Sequence, residues 1–299
     1  MQQKECNEIY RMYINRRHIK MRKRVLSGEV ICRFNNYLVL EEKSAATVEK
    51  YRRDVCALHE FLDGAEVSKE KVMEYKKLLL DKGYAVNSVN SILASINSLL
   101  DFMGWQDCRV KSVRKQRQTY CPADKELTKA EYLRLLESAR GRSRLRLTME
   151  TICSTGIRVS ELRFFTVAAV KRGTVVVDCK SKTRQILLPA RLRKLLMEYA
   201  RACGIDSGAI FVTRSGNPLN RSNIWAQMKA LCSRAHVKES KVFPHNLRKL
   251  FARTFYSMDR DIAKLADILG HSSIDTTRIY IMTTGAEHLR KMERMGLVV

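Results

Sequence analysis

The chain has 299 residues, which suits about two domains, and its 45% hydrophobic content is enough to build real cores. Lys and Arg total 56 against 31 Asp and Glu, a net charge of +25 spread along the whole chain, which favours a protein that wraps a nucleic acid over one with a membrane-surface patch. No run of about 18 apolar residues offers a membrane span, the start MQQKECNEIY lacks the apolar core of a secretion signal, and nine scattered cysteines without a CxxC pair argue against zinc or a disulfide framework and for a reducing cytoplasm.

Residues 1–28 carry eight Lys/Arg and two Asp/Glu, with Ile9, Met12, Tyr13 and Arg16 at helical spacing; they read as a basic arm or helix, with a disordered tail as the rival, and either could reach phosphate. Residues 29–107 read as a compact helical domain. Its helices run near Ile31–Leu40, along Val48, Tyr51, Val55, Leu58 and Leu62, along Val72, Tyr75 and Leu79, and along Val86, Val89, Leu93, Ile96 and Leu100, where Gly104 can end the last. No strand is expected there. Residues 108–125 crowd Arg109, Lys111, Arg114, Lys115 and Arg117 before Pro122 and read as a basic linker, whose charge density favours contact with a DNA backbone over a plain solvated loop.

The second domain, 126–299, opens on a capping-box spacing at Thr128 and Glu131. A helix to Arg140 and another to about Thr155 follow. The one clear β signal is a hairpin of residues 174–178 and 184–188, with residues 179–183 (CKSKT) at its tip. Helices are expected at about 190–203, 220–235, 245–258, 260–269, 273–282 and 285–295, punctuated by Gly173, Gly204, Gly216 and Gly270. No internal repeat or low-complexity tract stands out.

Three words carry the candidate chemistry. Residues 155–162 read TGIRVSEL, with Arg158 at a helix start after a turning glycine. Residues 244–256 read PHNLRKLFARTFY, with His245 and Arg248 three apart on one helix face. Residues 269–280 read LGHSSIDTTRIY, with His271 after a glycine that can end a helix and Tyr280 nine residues on. Each is weak alone: a lone Arg reads as surface, a lone His as structural and a Tyr at helical spacing as core. In order, as R…K…HxxR…(L)GH…Y, they resemble the tyrosine recombinases, also called the phage integrase family, and the resemblance spans the whole second domain. A helical domain, a basic linker and a catalytic domain also resemble that family's layout.

The resemblance implies a mainly α fold: an N-terminal helical, SAM-like core-binding domain and an α-rich catalytic domain with a small antiparallel sheet. It implies a site-specific DNA recombinase or integrase that cleaves and rejoins strands through a 3′-phosphotyrosine bond, without metal, ATP or other cofactor. Tyr280 is then the nucleophile, and Arg158 and Arg248 the forks that hold the phosphate. His245 activates or orients the tyrosine, and His271 hydrogen-bonds the phosphate. A hairpin lysine protonates the leaving 5′-oxygen. Lys180 and Lys182 compete for that last role. Lys180, followed by Lys182-Thr-Arg184 and Pro189, fits the family pattern with a one-residue deletion, and Lys180 is favoured.

The physical logic agrees. Attack on a phosphodiester adds charge to the nonbridging oxygens, and fixed donors there stabilise the transition state more than the ground state. Guanidinium stays charged and matches phosphate with two bonds. A tyrosine hydroxyl, with a pKa of about 10, benefits from a nearby proton acceptor. No carboxylate cluster or HExxH word supports metal-assisted cleavage.

Glu161 is read as a support for local structure, with a plain surface Glu nearly equal. Cys153, five before Arg158, is one residue short of a phosphatase Cys–Arg loop and is rejected. Arg214, Asn217, Arg221 and Asn223 suit either phosphate contact or a solvated surface.

Partners implied are double-stranded DNA and further copies of the chain, as a tetramer on synapsed DNA; no membrane is expected. The apolar end of residues 287–299 reads either as a helix docking onto a neighbouring protomer or as one packed on its own domain. The first 28 residues look short for a separate arm-binding domain, which suggests a Xer-like layout. A bacterial cytoplasm, with the protein on the nucleoid, is the expected place. Rival readings are a type IB topoisomerase and an inactive DNA-binding relative.

Overall fold

The computed structural model describes residues 24–297 apart from 115–119, 121–124, 180–181 and 214, with the backbone alone at 179 and 182. The expectations for residues 1–23, for Arg214 and for Lys180 therefore lie outside the described residues. The chain divides into two compact units on either side of residue 117.

Among the described residues of the first unit four α-helices pack together: α1 (Gly28–Leu40), α2 (Ala45–Leu62), α3 (Lys69–Asp81) and α4 (Val86–Phe102). Ser27, Ser44 and Ser68 cap the first three, each side chain accepting a backbone N–H of the first turn. The periodic apolar residues meet in one core that includes Phe34, Leu58, Val72, Leu93 and Ile96. The residues expected inside are largely inside, and Val25 makes a single bridge to Glu66, not a strand. One polar group breaks the pattern. Asp54 is buried on the inner face of α2, where it accepts from Ser95 Oγ at 2.8 Å and pairs with Lys50 at 2.8 Å.

The segment expected to be linker from residue 108 begins as part of this unit. Cys108 and Val110 are buried in its core. Asn97 brackets Val110, accepting its N–H at 3.2 Å and donating to its carbonyl at 3.0 Å. Asn90, two helical turns earlier on α4, brackets Val113 in the same way at 2.8 and 3.0 Å. Two side-chain amides seven residues apart thus hold an extended strand of chain by its backbone. Charge density in residues 109–117 hides this, because the holding groups lie in α4.

The second unit starts at α5 (Lys129–Ser138), with the capping box expected at Thr128 and Glu131 present. Then come α6 (Ser143–Thr155), a 3₁₀ turn at Val159–Phe164, α7 (Val167–Arg172), β1 (Thr174–Cys179), β2 (Lys182–Leu187) and α8 (Ala190–Ala202). After a loop follow α9 (Arg221–Lys229), α10 (Cys232–Ala235), a 3₁₀ turn at Glu239–Lys241, α11 (Pro244–Asp259), α12 (Ile262–Leu269), α13 (Ile274–Ile281) and α14 (Gly285–Glu293).

The sheet is a two-stranded antiparallel hairpin in which Val177 faces Arg184 and Cys179 faces Lys182. Its strands run further than expected, so residues 179, 182 and 183 belong to the ladder and not to a long tip. Arg158 opens a 3₁₀ turn instead of the expected helix. The expected helix 220–235 is two helices, α9 and α10, with Ala230 and Leu231 between them and one buried face running through both. Short α7 was not expected, although Thr166 caps its start and Gly173 ends it.

A large core joins α5–α9 to the hairpin through Val175, Val177 and Ile186. A second, smaller cluster gathers Ala252, Leu265, Leu269 and Tyr280 with Phe251 and Phe255 beside them. That cluster fixes α11, α12 and α13 against one another, and the candidate site lies along its edge.

Candidate active site

Two glycines let the site close. Gly156 ends α6 in the left-handed region (φ 67°), and a Cβ there would collide with the Phe251 ring. Gly270 ends α12 likewise (φ 62°), and a Cβ there would lie 2.7 Å from Arg184 Nη1. The chain turns at once after each, placing Arg158 two residues past the first and His271 directly after the second.

Arg248 is the centre. It rises from the second turn of α11 and is almost wholly buried, at 1% exposure. Nη1 donates to the carbonyl of Gly156 at 2.6 Å, and Nη2 to that of Leu269 at 2.6 Å. One guanidinium therefore ties the carbonyls that end α6 and α12, which both glycine turns leave free. Burial, then the neighbouring Arg158, pull its pKa down to about 10, so it is still charged at neutral pH.

His271 takes its place from Arg248 and Thr277. Its Nε2 lies 2.9 Å from Arg248 Nη2 and its Nδ1 lies 2.9 Å from Thr277 Oγ1. Guanidinium has no acceptor, so Nε2 must accept and Nδ1 must carry the proton. Burial first, then Arg248 and Arg158, lower the His271 pKa to about 4.

His245 sits at the start of α11, open to solvent on one side and surrounded on the other by protein and by Lys249, Arg248, Arg221 and Arg158. Burial first, then those cations, lower its pKa to about 4. Both histidines are neutral at pH 7.

Tyr280, on α13, completes the set. Its ring stands edge-on to His245 at 4.9 Å and to His271 at 4.8 Å between centroids, with the Arg248 guanidinium 5.8 Å from the ring centre. The tyrosine is 7% exposed.

Arg158 is the more open arginine, with 42% of its side chain exposed. It donates from Nη2 to the Gly270 carbonyl at 3.2 Å and from Nη1 to Glu161 at 3.1 Å. Glu161 is fully buried and receives the Arg158 backbone N–H at 2.7 Å. Both its oxygens also take the fork of Arg184, at 3.0 and 2.8 Å. Burial works to raise its pKa, but the bonds from Arg184 and Arg158 prevail and hold it below the usual carboxylate range. Glu161 is a buried structural carboxylate, not a surface one.

Five of the six expected residues, Arg158, His245, Arg248, His271 and Tyr280, thus come together. Lys180 is outside the described residues, and of Lys182 only the backbone at the start of β2 is described. Sequence reasoning missed Arg184 and Thr277. Arg184 stood in the Lys-x-Arg word without a role, and Thr277 read as one more polar residue of a helix. Cys153 is half-buried, and burial pushes its thiol up to about 12, which suits a core residue. Asn217 holds the turn at 213–217 through Ser215 and Thr213, and Arg221 and Asn223 stand exposed on the first turn of α9.

The arrangement presents cationic donors and neutral histidines around one phenol. That fits a singly charged phosphate better than a carboxylate pair or a metal would.

The model of the phage integrase family matches residues 125–287, and that of the phage integrase N-terminal SAM-like domain matches residues 31–107. The chain is 30% identical over 290 residues to the tyrosine recombinase XerA of Pyrococcus furiosus, covering 93% of this chain and 98% of that protein. Its fold is similar to lambda integrase (75–356) in a dimer bound to a COC′ core site, with a TM-score of 0.71, 17% identity and coverage of 87% of this chain and 96% of that one. It is also similar to a lambda integrase tetramer bound to a Holliday junction, with a TM-score of 0.69, 18% identity and coverage of 86% and 77%.

Proposed function

The chain belongs to the phage integrase family and is a tyrosine-type site-specific recombinase, and from that premise we propose that Tyr280 is its nucleophile. The observation that carries the assignment is the seat of the Tyr280 ring between two neutral histidines and beside Arg248. A general base must be neutral to accept a proton. With its pKa lowered to about 4, His245 meets that condition at physiological pH.

In this reading Tyr280 Oη attacks phosphorus, His245 orients the phenol or takes its proton, and a 3′-phosphotyrosine bond forms. Arg158, the open arginine, and Arg248, through the one Nη1 hydrogen that its bonds to Gly156, Leu269 and His271 leave over, hold the nonbridging oxygens, and each contributes about 3 kcal/mol to the barrier reduction. His271 bonds the phosphate once its Nε2 is protonated, because the neutral ring accepts from Arg248 at Nε2 and spends its one N–H on Thr277. The 5′-oxygen leaves with a proton from a hairpin lysine, Lys180 in preference to Lys182. The phosphotyrosine keeps the energy of the broken bond, so rejoining by the 5′-hydroxyl needs neither ATP nor metal.

DNA is the substrate, and assembly follows the dimers and tetramer of the related integrases. The first unit grips the core site, the second carries the chemistry, and the basic segment between them crosses the DNA backbone. The last helix supports self-association. Leu289 and Met292 on α14, with Met295 and Leu297 after it, are all more than half exposed, which suits a helix docked on a neighbouring protomer. Among the described residues no helix is long and apolar enough to cross a membrane. Work on cytoplasmic DNA, at a bacterial nucleoid, completes the proposal.

The test is mass spectrometry of the complex trapped on a nicked duplex. A nucleotide adduct is expected on Tyr280, and Tyr280→Phe should bind DNA and form none. An adduct on Tyr256 would overturn the assignment. Efficient relaxation of supercoiled plasmid lacking any recombination site would favour a topoisomerase instead.

A further inference from the structure

Arg158 is the exposed arginine of the site, yet it is bonded to a buried carboxylate. Its Nη1 donates to Glu161 Oε1 at 3.1 Å, and its backbone N–H to Glu161 Oε2 at 2.7 Å. Left to themselves, a guanidinium and a carboxylate close into a grip of two parallel bonds, the strongest geometry open to them. An arginine held in that way turns its fork inward, and its charge is already cancelled when a phosphate arrives. Here the grip belongs to a different residue.

Arg184 takes it from β2. Its Nη1 meets Glu161 Oε1 at 3.0 Å and its Nη2 meets Oε2 at 2.8 Å. Only 14% of the Arg184 side chain is exposed, and none of Glu161. Arg158 is left with one side-chain bond to the carboxylate, and its Nη2 donates instead to the Gly270 carbonyl at 3.2 Å. Arg184 also lies against that turn, since a Cβ on Gly270 would come within 2.9 Å of Arg184 Cδ. A guanidinium has five N–H donors, so these two bonds leave Arg158 three for a phosphate.

The charges divide in the same way. Two guanidiniums and one carboxylate leave one positive charge over. Arg184 and Glu161 cancel in the interior, so the surplus falls on Arg158, which has 42% of its side chain exposed. Without Arg184, Glu161 would cancel Arg158 itself, and a phosphate would have to win the fork from a fixed carboxylate. Stability alone does not call for the buried pair, because apolar side chains of similar volume fill such a place as well or better. Nor is Arg184 free to hold DNA: both Nη atoms are engaged with Glu161, and Nε is buried without a partner.

We propose that Arg184 is a positioning residue for Arg158: by taking both oxygens of Glu161, it keeps the Arg158 fork and its charge available to the scissile phosphate. The proposal rests on the reading of Arg158 as a phosphate fork, so the two are tested apart. Single-turnover cleavage is measured with the full-length protein at saturating duplex, whose site is recovered by binding selection from a random pool. Thermal melting shows whether each variant is folded at the assay temperature.

Arg158→Ala should cleave roughly 100-fold more slowly, the lower range for a lost fixed donor. Unimpaired cleavage there overturns the reading of Arg158, and the proposal with it. Arg184→Met should also cleave roughly 100-fold more slowly, because Glu161 then captures Arg158. Neutralising the captor should undo this: Glu161→Gln/Arg184→Met should regain about tenfold or more over Arg184→Met. Arg158→Ala/Arg184→Met should be no slower than Arg158→Ala, because a residue that acts through Arg158 has nothing left to position. A residue that only holds the fold gives the opposite order, each further buried deletion adding to the loss. Unimpaired cleavage by Arg184→Met, no gain from Glu161→Gln, a gain that merely follows the return of folding, or additive losses with Arg158→Ala overturns the role of Arg184. None of those four results touches the reading of Arg158, which stands or falls on Arg158→Ala alone.

Discussion

His271 is held in one tautomer by two neighbours of opposite kind, a donor-only guanidinium on Nε2 and a buried hydroxyl on Nδ1. Thr277→Val keeps the volume and removes the acceptor, freeing the ring to turn over. Strand cleavage should fall about tenfold, the lower range for a lost supporting bond behind a catalytic group, with DNA affinity unchanged in a binding titration. An unchanged cleavage rate would make Thr277 a packing residue only. Protonation gives a second test. Both histidines have folded pKa values near 4 against about 6.5 in the unfolded chain. A depressed histidine pKa means that the unfolded chain binds more protons between those values, so stability is lost as pH falls from about 6.5 towards 4. Urea unfolding at a series of pH values should show a midpoint that drops over that window. The same burial and arginines that depress His271 also predict that a bound phosphate raises its pKa, which NMR titration of the histidine ring with and without DNA can follow. His271 and Tyr280 were singled out by the resemblance of residues 269–280 to the family's word, and the structure brings their rings together. Thr277 was not, because a Thr–Thr pair in a short helix does not say which member faces inward until α13 packs on α11.

Glycine decides whether two elements can meet. Gly156→Ala combines a left-handed backbone with a methyl group driven into the Phe251 ring, and it should cost about 3 kcal/mol by chemical denaturation. Gly64 has a similar dihedral (φ 78°) but open space around it, so Gly64→Ala should cost only the backbone share, about 1 kcal/mol. Equal losses at the two would show that the Phe251 contact carries no energy. Helix existence was legible in both units because apolar residues recur at three and four. Helix breaks were less so: residues 229–232 hold no Gly or Pro, and Ile224, Met228, Leu231, Cys232 and Ala235 keep one helical face across the break. The linker shows the same limit. Basic residues announce it, but its first residues are set by Asn90 and Asn97, whose amides bracket Val113 and Val110. Asn90→Ala/Asn97→Ala leaves four backbone groups without their partners. Hydrogen exchange at the N–H groups of Val110 and Val113 should then speed by about tenfold or more, one lost bond's worth each, while the centres of α2 and α4 stay protected. Unchanged exchange at those two sites would mean that the core contacts of Cys108 and Val110 hold the segment unaided.

Across the whole molecule the dominant fact is charge. A surplus of 25 positive groups repels itself in the free protein and is relieved when the chain meets a polyanion. The candidate site repeats this in miniature, with Arg158, Arg184 and Arg248 gathered near the carboxylate of Glu161. The charges outside the site carry no base sequence. They neutralise phosphates and release condensed counterions, so their contribution follows salt and not sequence. If about six phosphates are contacted, affinity for any duplex should fall by roughly 10³ between about 50 and 200 mM salt, with a log–log slope of about −5. Fluorescence anisotropy on a cognate site and on a scrambled one measures this. The two lines should run near parallel, separated by the direct contacts with bases. A slope near zero on both would sink the view that backbone contacts dominate the grip. A steep line for the cognate site alone would place the cationic surplus in sequence-specific contacts, contrary to its spread along the chain.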